Sequence, residues 1–164
     1  MSESVIERIS EKAEEIGPVD FMKKIGKNEY DLLGLVSVAA NGSDEVKNEL
    51  SGWDRVFQFK AHGAKNCYLK ISGGRMSACL GDAQNPDVTL ETSSPEGMMA
   101  MLTGAIDGTT MFMSGKLRID GQLSDAIKFG NIGQLLQKIL TNDKIIEIWK
   151  LDPEDLAKKL GIQS

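Results

Sequence analysis

The chain has 164 residues, 41% of them apolar and 26% charged, with a net charge of −5. That length suits one domain burying roughly 70% of its unfolded surface, and the proportions exclude a disordered or fibrous chain. The acidic balance excludes nucleic acid as an expected partner, because phosphate backbones attract clustered Lys and Arg.

No apolar run reaches the roughly 20 residues that span a bilayer. The opening stretch is acidic and amphipathic, unlike a secretory signal, and the closing Gly161-Ile162-Gln163-Ser164 is not a Ser-Lys-Leu address. A cytoplasmic location is the resulting expectation.

Residues 4–16 carry Val5, Ile6, Ile9, Ala13 and Ile16 at three- and four-residue spacing, which predicts an amphipathic helix ended by Gly17-Pro18. A second short helix is expected from Pro18 to Ile25, with proline at its first position and Gly26 beyond its end. Residues 29–40 are apolar, and Tyr30, Leu33, Val36 and Ala40 share one helical face. Ser43 can cap a further short helix over 44–50.

From residue 53 the period changes to 2, with Phe57 and Phe59 alternating against Val56, Gln58 and Lys60. Residues 66–72 and 75–80 continue this pattern and are joined by Gly73-Gly74, a two-residue hairpin turn. That turn pairs Ile71 with Met76, Leu69 with Ala78 and Cys67 with Leu80, so turn and apolar pattern fix one register. A three-residue loop, His62-Gly63-Ala64, sets Phe59 opposite Cys67. Strands are also expected over 87–91, with Val88 and Leu90 inward, and over 116–120, with Leu117 and Ile119 inward. One face of the sheet is thus apolar and the other polar, an arrangement that calls for helices on one side.

Ser94-Pro95-Glu96 combines a cap, a first-position proline and an acidic first turn, opening a helix that Gly104 can close. A short helical segment includes Met111 and Phe112. Leu123, Ala126 and Ile127, then Leu135, Leu136, Ile139 and Leu140, predict one interrupted or two consecutive helices with Gly130 and Gly133 at the break. Residues 145–151 read as helix, and Asp152-Pro153 opens a last one that Gly161 ends.

Catalytic chemistry is hard to assemble from these residues. Cys67 and Cys79 are the only cysteines, and the register sends their thiols to opposite sheet faces, against a disulfide or a zinc site. His62, the one histidine, falls at a hairpin tip. No strand is followed by a phosphate-cradling glycine motif. Asp82, Asp87 and Glu91 read as solvated surface. Lys60, Lys65, Lys70, Arg75, Lys116 and Arg118 fall on the polar face or at strand ends, a solvated set that an anionic head group or coenzyme A phosphate could use. The expectation is no enzyme, no metal and no cofactor.

Five of the eight methionines are Met98, Met99, Met101, Met111 and Met113. Judged on packing alone they are ordinary core residues, but Met is flexible and polarisable, and a wall of it also suits a deformable cavity.

The order Asp87-Val88-Thr89-Leu90, a Ser-Pro-Glu helix start, Met101-Leu102-Thr103-Gly104, Met111-Phe112-Met113-Ser114-Gly115, Lys116-Leu117-Arg118-Ile119-Asp120-Gly121 and a helix from Leu123 to Phe129 resembles the sterol carrier protein type 2 (SCP-2) domain. Looser similarity reaches back to about Gly52, or roughly half the chain. The resemblance implies an α/β (α+β) fold, SCP-2-like, with a five-stranded mainly antiparallel sheet covered on one face by helices. It also implies a hydrophobic tunnel for a sterol, fatty acid or fatty acyl-CoA and no catalytic residues. Carried over by motif position, the cavity lining is Phe57, Phe59, Met76, Met98, Met101, Leu102, Ile106, Met111, Phe112, Leu117, Ile119, Leu123 and Ile127.

The chain is accordingly expected to be a single domain, 1–164, with a helical N-terminal extension over 1–51, a lipid-binding core over 52–135 and a helical C-terminal tail over 141–164. The leading reading is a non-enzymatic lipid carrier. The alternative is an accessory protein docking on an enzyme or membrane surface through its terminal helices.

Overall fold

A computed structural model describes residues 3–162; the ends considered above as targeting signals lie partly outside that range. Four helices come first: α1 (Glu3–Ile16), α2 (Pro18–Ile25), α3 (Glu29–Asn41) and α4 (Asp44–Leu50). The strands are β1 (Arg55–Ala61), β2 (Cys67–Ser72), β3 (Arg75–Leu80), β4 (Val88–Thr92) and β5 (Leu117–Gly121). Between β4 and β5 lie α5 (Pro95–Leu102) and α6 (Gly108–Met113), and after β5 come α7 (Leu123–Ile139), α8 (Asn142–Ile148) and α9 (Pro153–Lys159).

The strand order is β3-β2-β1-β4-β5. Only the central β1–β4 pair is parallel, so the sheet is mixed and mainly antiparallel. Both hairpin registers agree with expectation: Ile71 faces Met76, Cys67 faces Leu80 and Phe59 faces Cys67. Gly73 and Gly74 take φ of 60° and 74°, the left-handed pair that a tight hairpin needs and that side chains resist.

Helix ends follow the chemistry of their caps. Asn28, Ser43, Ser94, Asp107, Thr141 and Asp152 each accept a hydrogen bond from a backbone N–H in the first turn of the helix they precede. Thr141 starts α8 three residues ahead of the expected 145, because a capping hydroxyl outweighs the apolar pattern there. Helix α5 ends at Leu102 with Thr103 as its cap, and Gly104 follows in the left-handed region.

The expected break at Gly130 and Gly133 does not occur, for α7 runs unbroken through both. Neither glycine has a positive φ, and Ile132 and Leu136 hold this stretch in the core. Tertiary packing here outweighs the weak helix propensity of glycine.

The apolar side chains form two clusters. One joins the inner sheet face (Phe57, Phe59, Leu69, Ile71, Val88, Leu90) to Leu33 and Ala40 of α3, Met98 of α5, Met111 of α6, and Ile132 and Leu136 of α7. The other joins α1, α2, α8 and α9 to Leu32 and Leu35 of α3 and Met99 of α5. Helices α3 and α5 are therefore buried on two sides, and the molecule has three layers: sheet, inner helices and outer helices. Ser10 of α1 donates to the Asp143 carboxylate of α8 at 2.7 Å, fastening the two terminal regions together.

Leu80, expected inward, is 56% exposed. It has the inward parity but sits at the end of edge strand β3, past the cover. On the opposite face the expectation of plain polar surface fails at Gln58. Its side chain is 1% exposed; it donates to Cys67 O (3.0 Å) and Gly81 O (3.1 Å) and accepts from Ala83 N (2.7 Å). It pins the β3–β4 crossover to the back of the sheet.

Gly130→Ala and Gly133→Ala are expected to stabilise the fold by about 0.5–1 kcal/mol each, since a Cβ at either meets nothing within 4 Å and alanine is the better helix former. Gly121 is the opposite case. Its φ is +127° and a Cβ would strike the Asp87 carbonyl oxygen, so Gly121→Ala should cost about 2 kcal/mol or more. Urea denaturation of the three variants checks both signs.

Candidate functional site

Helix α7 is fixed across the inner face at two points. At its first turn Asp125 accepts from Trp53 Nε1 (3.0 Å) and from Arg55 Nε (2.9 Å). One turn on, the Phe129 ring stacks on Phe57 with centroids 4.7 Å apart and meets Phe59 at 5.8 Å. Lys128 lies over the Trp53 ring at 4.8 Å, a cation–π contact that closes the corner. Burial raises the pKa of Asp125. The hydrogen bonds from Trp53 and Arg55 and the charges of Arg55 and Lys128 outweigh it, holding the carboxyl below its ordinary value.

Helices α5 and α6 bring the methionines onto the sheet. Met98 and Met111 are buried in the sheet-side cluster, Met101 packs against it from a half-buried position, and Met99 turns into the outer cluster. Met113, at the end of α6, is 78% exposed. The sequence run of methionine is thus divided among wall, outer cluster and surface.

The residues expected to line a cavity divide in the same way. Phe57, Phe59, Met76, Met98, Met111 and Leu117 are buried, and Met101, Leu102 and Ile119 pack against them partly exposed. Ile106, Phe112, Leu123 and Ile127 are 38–55% exposed. Phe57 and Met98 have no accessible surface, whereas even a water-sized void would leave some on the side chains around it. Phe59, Met76 and Met111 keep at most 2%, so the inner wall is closed at these residues.

Two clefts among the described residues lie elsewhere. One of about 420 Å³ is bounded by Arg8, Glu11, Lys12, Glu15, Gly161 and Ile162, and one of about 350 Å³ by Ile16, Asp20, Lys23 and Lys24. Neither includes an expected lining residue.

Exposed large apolar residues are concentrated instead. Besides Val38 and Leu80 they are Ile106, Phe112, Met113, Leu123 and Ile127. These five lie on the α5–α6 loop, α6 and the first turns of α7, the segments that flank edge strand β5. They form an apolar rim around one side of the closed wall.

The reactive groups lie apart from this rim. Burial, and then the charge of Glu29, push the Cys67 thiol up to about 11, so it is a poor nucleophile at neutral pH. Cys79 is half-buried on the far sheet face, opposite Tyr68. His62 Nε2 lies 2.9 Å from Glu91 Oε2, a bond that lowers the Glu91 pKa. Asp82 accepts from Asn66 and Asp87 from Val56 N, so these carboxylates have structural partners that the reading as bare surface did not provide. Among the described residues no three His, Cys, Asp or Glu side chains are grouped to hold a metal. Lys60, Lys70 and Arg118 are on β1, β2 and β5, while exposed Lys116 stands beside the rim, between α6 and β5.

Asp125, Phe129, Gln58 and Glu29 were not singled out from sequence. An acid three residues after the helix cap is a visible signal at Asp125, but its bond to a strand seventy residues away is not.

A mixed five-stranded sheet with helices on one face and a methionine-bearing cover defines an α+β domain of the sterol-carrier type. Residues 37–134 match the SCP-2 sterol transfer family, and the chain belongs to it. The match begins inside α3, ahead of the Gly52 limit read from sequence. Solved structures share the fold. A ubiquinone synthesis protein, UbiJ-SCP2, aligns at TM-score 0.55 and 17% identity over 65% of this chain and 88% of its own. Palmitated SCP2L2 from Aedes aegypti aligns at 0.52 and 17% over 65% and 95%. Apo sterol carrier protein 2 from Yarrowia lipolytica aligns at 0.50 and 17% over 66% and 88%. No curated protein matches the sequence. Among the described residues no helix is long and apolar enough to cross a membrane.

Asp125→Ala should destabilise the protein by about 2 kcal/mol at pH 7, the usual cost of losing charged hydrogen bonds. The folded pKa lies below the unfolded value of about 3.9, so this contribution is complete above that value and disappears as pH falls through the folded one. Denaturant stability measured from pH 7 downward should show the wild-type advantage shrinking only below about pH 4.

Proposed function

We propose that the protein binds and carries a lipid-like ligand, a sterol, fatty acid or fatty acyl-CoA, between the inner sheet face and the α5–α6–α7 cover, without catalysing a reaction on it. Family membership supports the general reading. The apolar rim of Ile106, Phe112, Met113, Leu123 and Ile127 is the observation that carries it here, since large exposed apolar groups gathered on the segments around one strand mark a binding surface.

In this reading the ligand enters past β5 and displaces Met101, Leu102 and Ile119, which are already partly exposed. Met98 and Met111 then move with it, because an unbranched thioether has several rotamers of similar energy. Helix α6 is the element suited to yield, being six residues long. The driving force is transfer of hydrocarbon from water, about 0.8 kcal/mol per methylene. For a C16 chain this comes to roughly 12 kcal/mol, and association costs of at least about 4 kcal/mol leave micromolar affinity. The docking alternative has less support, because the apolar faces of α1, α2, α8 and α9 are spent on each other and on α3 and α5.

Titration of the full chain with fluorescent analogues of a sterol, a fatty acid and an acyl-CoA tests the proposal. Micromolar binding of at least one is expected, and none binding at micromolar protein would overturn it. Phe112→Glu and Ile127→Glu on the exposed rim should leave folding intact and weaken binding about tenfold, roughly 1.4 kcal/mol. Met101→Glu should do the same from the wall.

A further inference from the structure

Among the described residues, one buried side-chain oxygen on the sheet-facing side of the helices has no partner. Glu29 opens α3 and is 6% exposed, and its Oε1 is buried without a hydrogen bond. Leu33, Val36 and Ala40 follow it by four, seven and eleven residues, so the helical period sets all four on one stripe. Those three pack in the sheet-side cluster. Beneath the stripe, Cys67 is 1% exposed and pairs across the sheet with Phe59. Asn41, at the other end of α3, bonds both backbone groups of Met76 near the start of β3. The helix therefore runs back along the strand and brings Glu29 toward its far end, where Leu80 pairs with Cys67; the thiol does not satisfy Oε1.

A buried acceptor with neither water nor donor is unfavourable on its own, and groups that break the rules of folding are commonly functional. Glu29 lies ahead of the residues matched to the family, 37–134.

We propose that Glu29 accepts a hydrogen bond from the hydroxyl of a neutral lipid alcohol that lies along the inner sheet face, from the apolar rim past Phe59 to the start of α3. This rests on the lipid-binding reading and narrows its ligand class. A hydroxyl supplies the missing donor and brings no charge into the core. A fatty-acid carboxylate carries acceptors only and would leave Oε1 without a donor, and an ammonium head would have to shed its hydration to reach the same place.

The test is calorimetric titration of the full chain with dodecanol and with laurate at pH 8, for wild type, Glu29→Leu and Glu29→Gln. Dodecanol should bind wild type at least tenfold more tightly than laurate. Glu29→Leu should weaken dodecanol about tenfold and bring the two ligands level, while the thermal midpoint of the ligand-free protein stays or rises because an unpartnered acceptor has gone. Glu29→Gln keeps a carbonyl acceptor, so it should retain dodecanol and lose the discrimination against laurate. If Glu29→Leu fails to fold, the Gln variant decides alone. Equal wild-type affinities, or a ratio untouched by both variants, would overturn the role of Glu29 and leave the carrier reading standing. Binding of neither compound to wild type would overturn the carrier reading itself.

Discussion

The width of the sheet governs how the rest of the molecule is arranged. Five strands spaced by about 4.8 Å present an apolar face roughly 24 Å across, and a packed helix covers about 10 Å of it. Helix α3 lies along the β3 side, fastened where Asn41 bonds both backbone groups of Met76, and α7 lies over β1 through Phe129. Two such helices account for about 20 Å, so the outermost strip, toward β5, is left without a full cover. What covers it is α5 and the short α6, with methionine where a rigid core would have Leu or Ile. The apolar rim is the part of that strip left unfinished.

Much of this was legible from residue order alone. The Gly73-Gly74 turn and the alternation around it fix a hairpin register, because a one-residue slip would turn every apolar side chain outward. The caps at Ser43, Ser94 and Asp152 are local chemistry and were equally visible. The five strands and the one-sided cover followed from the apolar alternation, and the resemblance carried by the strand and helices from Asp87 to Phe129 agreed with both. Features that depend on distant partners were not legible. Helix α7 continues through two glycines because the sheet holds it, Gln58 is buried because a crossover passes behind the sheet, and Asp125 is paired because β1 starts beside it. The closed wall was likewise hidden, since a methionine reads the same in sequence whether it touches a neighbour or a void.

The outer helical layer separates what is fixed in the cover from what can move. Helix α5 contributes Met98 to the inner cluster and Met99 to the outer one, so displacing it would disturb both. Leu102 and Leu140 touch both clusters and tie the layers at the far ends of α5 and α7. Helix α7 is further held by its ion pair and stacked rings. Only α6 is short, one-sided and edged by exposed apolar groups, so the terminal helices, by clamping α5, direct any opening to the β5 side.

A closed wall also sets the terms on which a ligand binds. If the competent form is a minor one, the apparent affinity falls by its population. A stiff core of branched side chains would make that population very small, because such cores shift between discrete packings. Methionine lowers the difference between the two forms, since its side chain finds contacts in either arrangement. The same substitution makes the ligand-free core less uniquely specified. The remaining layers compensate by anchoring everything around it: the Asp125 corner below, the Gln58 staple behind and the outer helices above. Entry is directed to one strip, beside edge strand β5, where Ile106, Phe112, Met113, Leu123 and Ile127 leave their apolar side chains in water.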